Sequence, residues 1–260
     1  MFSIMRRLYD GEVERDLGSR HGIRLRFEGK VGLLGAVTDA IDQVSEEIGD
    51  LGPRMLLYRM PDIDKYEAMS TVGHNAGHQS KIRNRLAEAV GRFIDGLDYS
   101  TWPLAAEPNM ADLQALADWA VWCRSPIPRD RWGQIKHVPR PEVPLRVYAN
   151  LLQLLAGAFT IGLDHATAET LVRKFALDSI PAMRRRVLDG LLSAQSSSST
   201  RTLADIIGLP TPVVGDVCED LAALGVLISE GLGERYWSIR NEARELAHAA
   251  RVVDDAGVLL

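Results

Sequence analysis

The 260-residue chain has only two cysteines, Cys123 and Cys218, each beside apolar or acidic neighbours and neither in a paired motif. That excludes a disulfide scaffold and a zinc knuckle, and it fits a reducing cytoplasm. Long apolar runs are missing too. The longest, 151–163, is broken by Gln153, Gly157 and Thr160 and falls short of the ~20 residues that span a bilayer, so no membrane partner is expected. Arg6 and Arg7 are not followed by an apolar region, and no export signal is expected. Positive charge is not in excess: 30 Lys and Arg stand against 35 Asp and Glu, a formal net charge of −5. This argues against a protein that coats nucleic acid through bulk charge, but a local basic stripe remains compatible with it. No G-x-x-x-x-G-K-[ST] occurs, and no Ser/His/Asp, paired-carboxylate or metal-ligand constellation stands out. No cofactor, no metal and no catalysis by this chain alone are therefore expected. There is no fixed-period repeat, and the only low-complexity stretch is the serine run 196–199.

What is present speaks most clearly over 196–239. The serines stop one helix, and Thr200 is placed to cap the next, 200–207, which carries Leu203, Ile206 and Ile207 on one face. Gly208-Leu209-Pro210 breaks that helix. Thr211 as cap and Pro212 in the first helical position open another, in which Val213, Val214, Val217, Leu221 and Leu224 fall at helical spacing before Gly225 ends it. Two strand-like runs, 226–228 and 236–239, flank the glycine-bearing loop 230–234. With a preceding helix at 182–193, this is the order of a winged helix-turn-helix.

Many nucleic-acid-binding domains place the second helix of that unit in the major groove and the hairpin against the backbone. Positions 211–219 would then meet DNA, yet the polar residues of this helix are Asp216, Glu219 and Asp220, with no Lys or Arg. The triplet Arg184-Arg185-Arg186 on the preceding helix is the expected source of the missing phosphate contacts. Arg201, Thr211 and Arg235 complete the DNA-binding candidates. A winged helix that contacts protein, or lids another domain, stays open as the other reading.

The middle of the chain reads as helical. Helix 79–97 sets Ile82, Leu86, Val90, Phe93 and Leu97 toward a core, with Lys81, Arg83, Arg85 and Arg92 on its other positions. His74 and His78 have the spacing of two metal ligands on one helix face, but Gly73 and Gly77 weaken the helix and both read as surface histidines. Helix 110–123 turns Leu113, Leu116, Trp119 and Ala120 inward. Five prolines then hold 124–146 extended, where Arg124, Arg129, Arg131, Lys136, Arg140 and Arg146 stand against Asp130 and Glu142. With Trp132 and His137 interleaved, this strap is a second candidate surface for nucleic acid. Its other reading is a strap whose arginines pair with acidic helix faces. Apolar helices at 145–162 and 166–178 follow, and a last helix begins at Asn241.

Near the amino terminus, the alternation Ile23, Leu25, Phe27 leads into the continuously apolar run 31–38, then a helix 39–48 and a second apolar run 54–60. Such runs suit parallel strands buried on both faces. Tyr9-Asp10-Gly11, Gly29-Lys30-Val31-Gly32-Leu33-Leu34-Gly35-Ala36-Val37-Thr38 and Leu51-Gly52-Pro53-Arg54-Met55-Leu56-Leu57-Tyr58-Arg59 resemble the later part of P-loop ATPases of actinobacteria, phages and integrated elements. Those proteins are RecA- or AAA-like, with a helical region and a carboxyl-terminal winged helix. The resemblance implies that Thr38 ends a core strand beside the γ-phosphate, that Arg54 and Arg59 reach phosphates or a neighbouring subunit, and that Arg146 opens a lid helix. Because no phosphate cradle is present, the chain reads as a relative lacking the nucleotide-binding half.

The expected fold is mainly α: a partial α/β remnant over 1–62, a helical domain with a proline-rich basic strap over 63–178, and a winged helix-turn-helix with a carboxyl-terminal helix over 179–253. The expected function is DNA engagement in the replication or maintenance of a phage or mobile element. A dimeric winged-helix transcriptional regulator and an ATPase subunit completed in trans are the alternatives. DNA, an ATPase half and a second copy of the chain are the corresponding partners.

Overall fold

Among the described residues, the buried core begins at Leu113. The computed structural model describes residues 7–17, 23–29, 31–44, 55–98, 110–194, 196–231 and 234–253. It is mainly helical, 59 % helix, with small antiparallel sheets, which agrees with the class expected from the sequence. Helix α1 spans Lys65–His74, α2 Gln79–Asp95, α3 Met110–Arg124, α4 Leu145–Thr160, α5 His165–Asp178 and α6 Ala182–Ala194. Strand β1 is Glu12–Leu17, β2 is Ile23–Glu28 and β3 is Ser198–Ser199. Helices α7 (Thr200–Ile207) and α8 (Thr211–Ala223), strands β4 (Leu227–Glu230) and β5 (Tyr236–Ile239), and α9 (Asn241–Ala249) complete the order.

Helix α3 buries Leu113, Leu116, Ala117, Trp119, Ala120, Val121 and Cys123, too many for one stripe, because α4, α5 and α9 all pack on it. Helix α4 needs only the stripe Val147, Leu151, Leu155 and Ala158. Asp164 caps α5: its carboxylate accepts from the Thr167 amide at 3.0 Å and the Thr167 hydroxyl at 2.8 Å, which holds its pKa below the usual carboxylate value.

The α6–β5 stretch departs from expectation in detail. Ser199, one residue earlier than expected, caps α7 by accepting from the Thr202 amide, and the Thr200 hydroxyl instead accepts from the Trp237 indole at 2.8 Å. Ser198 and Ser199 are no mere interruption: they form β3 and pair with Trp237 and Tyr236. Gly208 takes the left-handed conformation (φ +63°) that ends α7. At Gly225 (φ +79°) α8 ends, and the Val226 amide reaches back to the Leu221 carbonyl at 2.9 Å. The three strands lie in the order β3-β5-β4, all antiparallel, with Trp237 and Ile239 buried against the helices.

The amino-terminal remnant is not the parallel unit expected. β1 and β2 form an antiparallel hairpin in the register Val13↔Phe27. Residues 31–38 form no strand and lie exposed, Leu34 by 99 %, and 39–44 is a 3-10 helix. Residues 55–60 have no strand partner among the described residues. An apolar run becomes a buried strand only when neighbouring strands supply a ladder and two faces of cover; among the described residues neither run has a ladder, and only 55–60 finds partial cover, Leu56 on the core and Tyr58 on Phe175. Helix α2 forms as expected, but its apolar face does not meet a core: Leu86 is 62 % exposed, and neither α1 nor α2 buries a single residue.

Candidate nucleic-acid interface

The three acids of α8 explain themselves through their partners. Asp220 accepts from Arg129 Nε at 3.0 Å and Nη2 at 2.7 Å on one oxygen, and from Arg184 Nη2 at 3.2 Å on the other. Arg129 also donates to the Asp216 carbonyl at 2.8 Å and stands 3.6 Å from the Asp216 carboxylate and 3.7 Å from that of Glu219. Arg235, from β4–β5, holds Glu219 at 2.6 Å. One element therefore carries the acids and three others carry the bases. The acidic character of α8, an objection to DNA when read alone, is the seat of the strap.

This arrangement removes part of the triplet from any outside ligand. Arg184 is buried, donating to the Cys123 carbonyl at 3.2 Å and the Ser125 carbonyl at 2.5 Å as well as to Asp220. Arg185 lies 3.4 Å from both Asp178 and Asp189. Arg186 donates to the Ile207 carbonyl at the end of α7. Of the triplet, Arg184 is not placed for the expected phosphate contact: helix spacing sends it inward, toward the carbonyls at the end of α3, while Arg185 is half-buried and Arg186 exposed. Arg201, in contrast, is exposed at the start of α7 with no ion pair among the described residues, and Thr211 is exposed at the start of α8. A Cβ at Gly215 would lie 3.7 Å from Thr200 Cγ2, so the start of α7 sits beside α8.

The strap is ordered by its own bonds. A single antiparallel bridge, Arg129↔Ile135, closes a tight hairpin, with the Lys136 amide on the Pro128 carbonyl at 2.9 Å and the Asp130 amide on the Gln134 carbonyl at 2.8 Å. The Asp130 carboxylate accepts from the Trp132 and Gln134 amides at 2.8 and 2.9 Å. Gly133 (φ +80°) makes the reversal, and its carbonyl accepts from Arg129 at 2.6 Å. At the tip the Trp132 ring is 71 % exposed, with the Arg131 guanidinium 4.0 Å over it. Arg131, Lys136 and Arg140 are exposed. The two readings of the strap divide by residue: Arg129 pairs with an acidic helix, and the tip does not. Arg124 is half-buried, and desolvation pushes its pKa down to about 10 while Glu142 pulls the other way.

The residues assigned to nucleotide sensing are dispersed. Thr38 is exposed, and its carbonyl accepts from the Ile41 amide at 3.0 Å. Arg54 lies outside the described residues. Arg59 faces the α5–α6 junction: it holds Asp42 at 2.7 Å, the Asp178 carbonyl at 3.0 Å and the Ile180 carbonyl at 3.2 Å, while its own amide donates to the Asp178 carboxylate at 2.8 Å. Arg146 pairs with Glu142 at 3.5 Å. Among the described residues, Thr38, Arg59 and Arg146 have no bonding partner in common. His74 ends α1 and His78 precedes α2, so the two do not share a helix face. Among the described residues, no group of three His, Cys, Asp or Glu is placed to hold a metal, and no helix is long and apolar enough to cross a membrane.

Sequence reasoning missed Asp42. Its carboxylate accepts from the Ala182 amide at 3.0 Å and so caps α6 from a distant part of the chain. No local signal marks a cap supplied from so far upstream. Compared with family models, curated proteins and solved structures, the chain has no match.

Proposed function

We propose that this chain engages DNA, with 182–239 acting as a winged helix-turn-helix. One observation carries the reading: α7 and α8 meet across left-handed Gly208 and Pro210, and the sheet β3-β5-β4 closes beside them around buried Trp237, the helix-helix-hairpin arrangement used by groove-reading domains. Thr211, Pro212 and Asp216 form the exposed side of α8. With Arg184 turned inward, phosphate contacts fall to Arg201 and to the strap, which Arg129 draws against α8. The phage or mobile-element setting, and the kinship with P-loop ATPases, rest on the sequence resemblance and belong to the same proposal.

Fluorescence anisotropy with a labelled duplex of random sequence across a salt series tests it. Binding should weaken linearly in log–log form, and Arg201→Ala should reduce the slope by about one. Absence of binding at low salt, or affinity indifferent to salt, overturns the reading.

A further inference from the structure

A tryptophan this exposed calls for a reason, since the loop that presents it is held from several sides. We propose that Trp132 is a stacking plate for an unpaired nucleobase, so that the preferred ligand is DNA with a single-stranded extension rather than a blunt duplex. The proposal deepens the DNA reading above and rests on it, but it turns on the ring at the tip of the strap rather than on α8 or on the cations, and the two can fail separately.

Three features point to this occupant. First, the plate is built in advance. The Asp130 carboxylate fixes the amides on either side of the tip, and Arg129 clamps the Gly133 carbonyl while anchored on Asp220, so the ring is offered without ordering the loop on binding. Second, Arg131 covers one face of the indole at 4.0 Å, which leaves the opposite face for a second planar group and adds a cation beside the stack. Third, from position 131 to 140 the strap itself carries three cations and no acid. Arg131, Lys136 and Arg140 are exposed, whereas Asp130 is occupied with backbone amides and Arg129 answers the acids of α8. A ring with cations spaced along an extended, proline-bearing segment is what a single strand needs: a base on the indole and successive phosphates on the cations. A duplex, with its bases already stacked, has nothing to put on the plate.

The intact protein should be titrated with a blunt duplex, with the same duplex carrying a short unpaired extension, and with the single strand alone, following anisotropy and indole quenching. Stacking predicts tighter binding of the extended duplex by about 5- to 100-fold. Trp132→Ala should abolish that preference while leaving blunt-duplex affinity within about twofold, and Trp132→Phe should retain part of it. Equal affinity for blunt and extended duplexes overturns the plate and leaves the winged-helix reading standing. A preference that survives in Trp132→Ala also overturns it. Binding of the single strand with loss in Trp132→Ala, but no binding of blunt duplex, supports the plate and sinks the winged-helix reading. No binding to any of the three sinks both.

Discussion

Asp220 stands between two guanidinium groups, and the cost of losing it differs from that of other charges on the same helix. Asp220→Ala leaves Arg184 buried with only carbonyl acceptors and should destabilise the fold by about 2–3 kcal/mol in a urea titration. Arg235→Ala removes an exposed pair with Glu219 and should cost less than about 1 kcal/mol. Similar costs for the two would refute the assignment of Asp220 as the hub. Cys218 gives a pH dependence. Burial, with Glu219 adding to it, raises its thiol from 9.0 to about 12, so the folded chain holds the proton more tightly than the unfolded one. Its contribution to stability is therefore full below pH 9.0 and is lost as pH rises toward about 12. Urea midpoints should fall less steeply over that window in Cys218→Ala, and both cysteines should resist thiol reagents until the protein unfolds.

Between elements, the tightest approach tested by a missing side chain is that of α6 to α7. A Cβ at Gly190 would come within 3.2 Å of Ile207 Cγ2 and 3.7 Å of Leu203 Cδ2. Gly190→Val should therefore cost about 1–3 kcal/mol by overpacking, read from the thermal midpoint. At Gly215 the nearest contact would be an ordinary 3.7 Å, and Gly215→Ala should stabilise by up to about 1 kcal/mol through helix propensity. The same elements show what pattern can and cannot tell. The breaks at Gly208 and Gly225 were readable because positive φ leaves a chemical signature. β3 was not: two residues have no period, and what makes them a strand is Tyr236-Trp237 much later in the chain. The inward turn of Arg184 was likewise hidden, since arginine on a helix looks solvated until its carbonyl partners are in place.

At the scale of the whole molecule, the buried apolar side chains among the described residues lie between Leu113 and Val253. The sequence announced the helices of that region correctly because their stripes match what packs on them. It misled at α2 and at 31–38, where apolar residues have helical or strand-like spacing and no cover among the described residues. Leu86→Asp on α2 should accordingly shift the unfolding midpoint by less than about 0.5 kcal/mol, whereas Leu191→Ala in the core should cost about 2–5 kcal/mol. Comparable losses would mean that α2 is covered after all.

The cap that Asp42 places on the Ala182 amide, braced by Arg59, makes the opening turn of α6 a reporter on a region far from it in sequence. Tension or competition that lifts Asp42 and Arg59 off the α5–α6 junction would strip that turn of its anion, and its amides would exchange with solvent sooner than the rest of the helix. Upstream attachment and the firmness of that first turn are thus coupled through the Asp42 carboxylate.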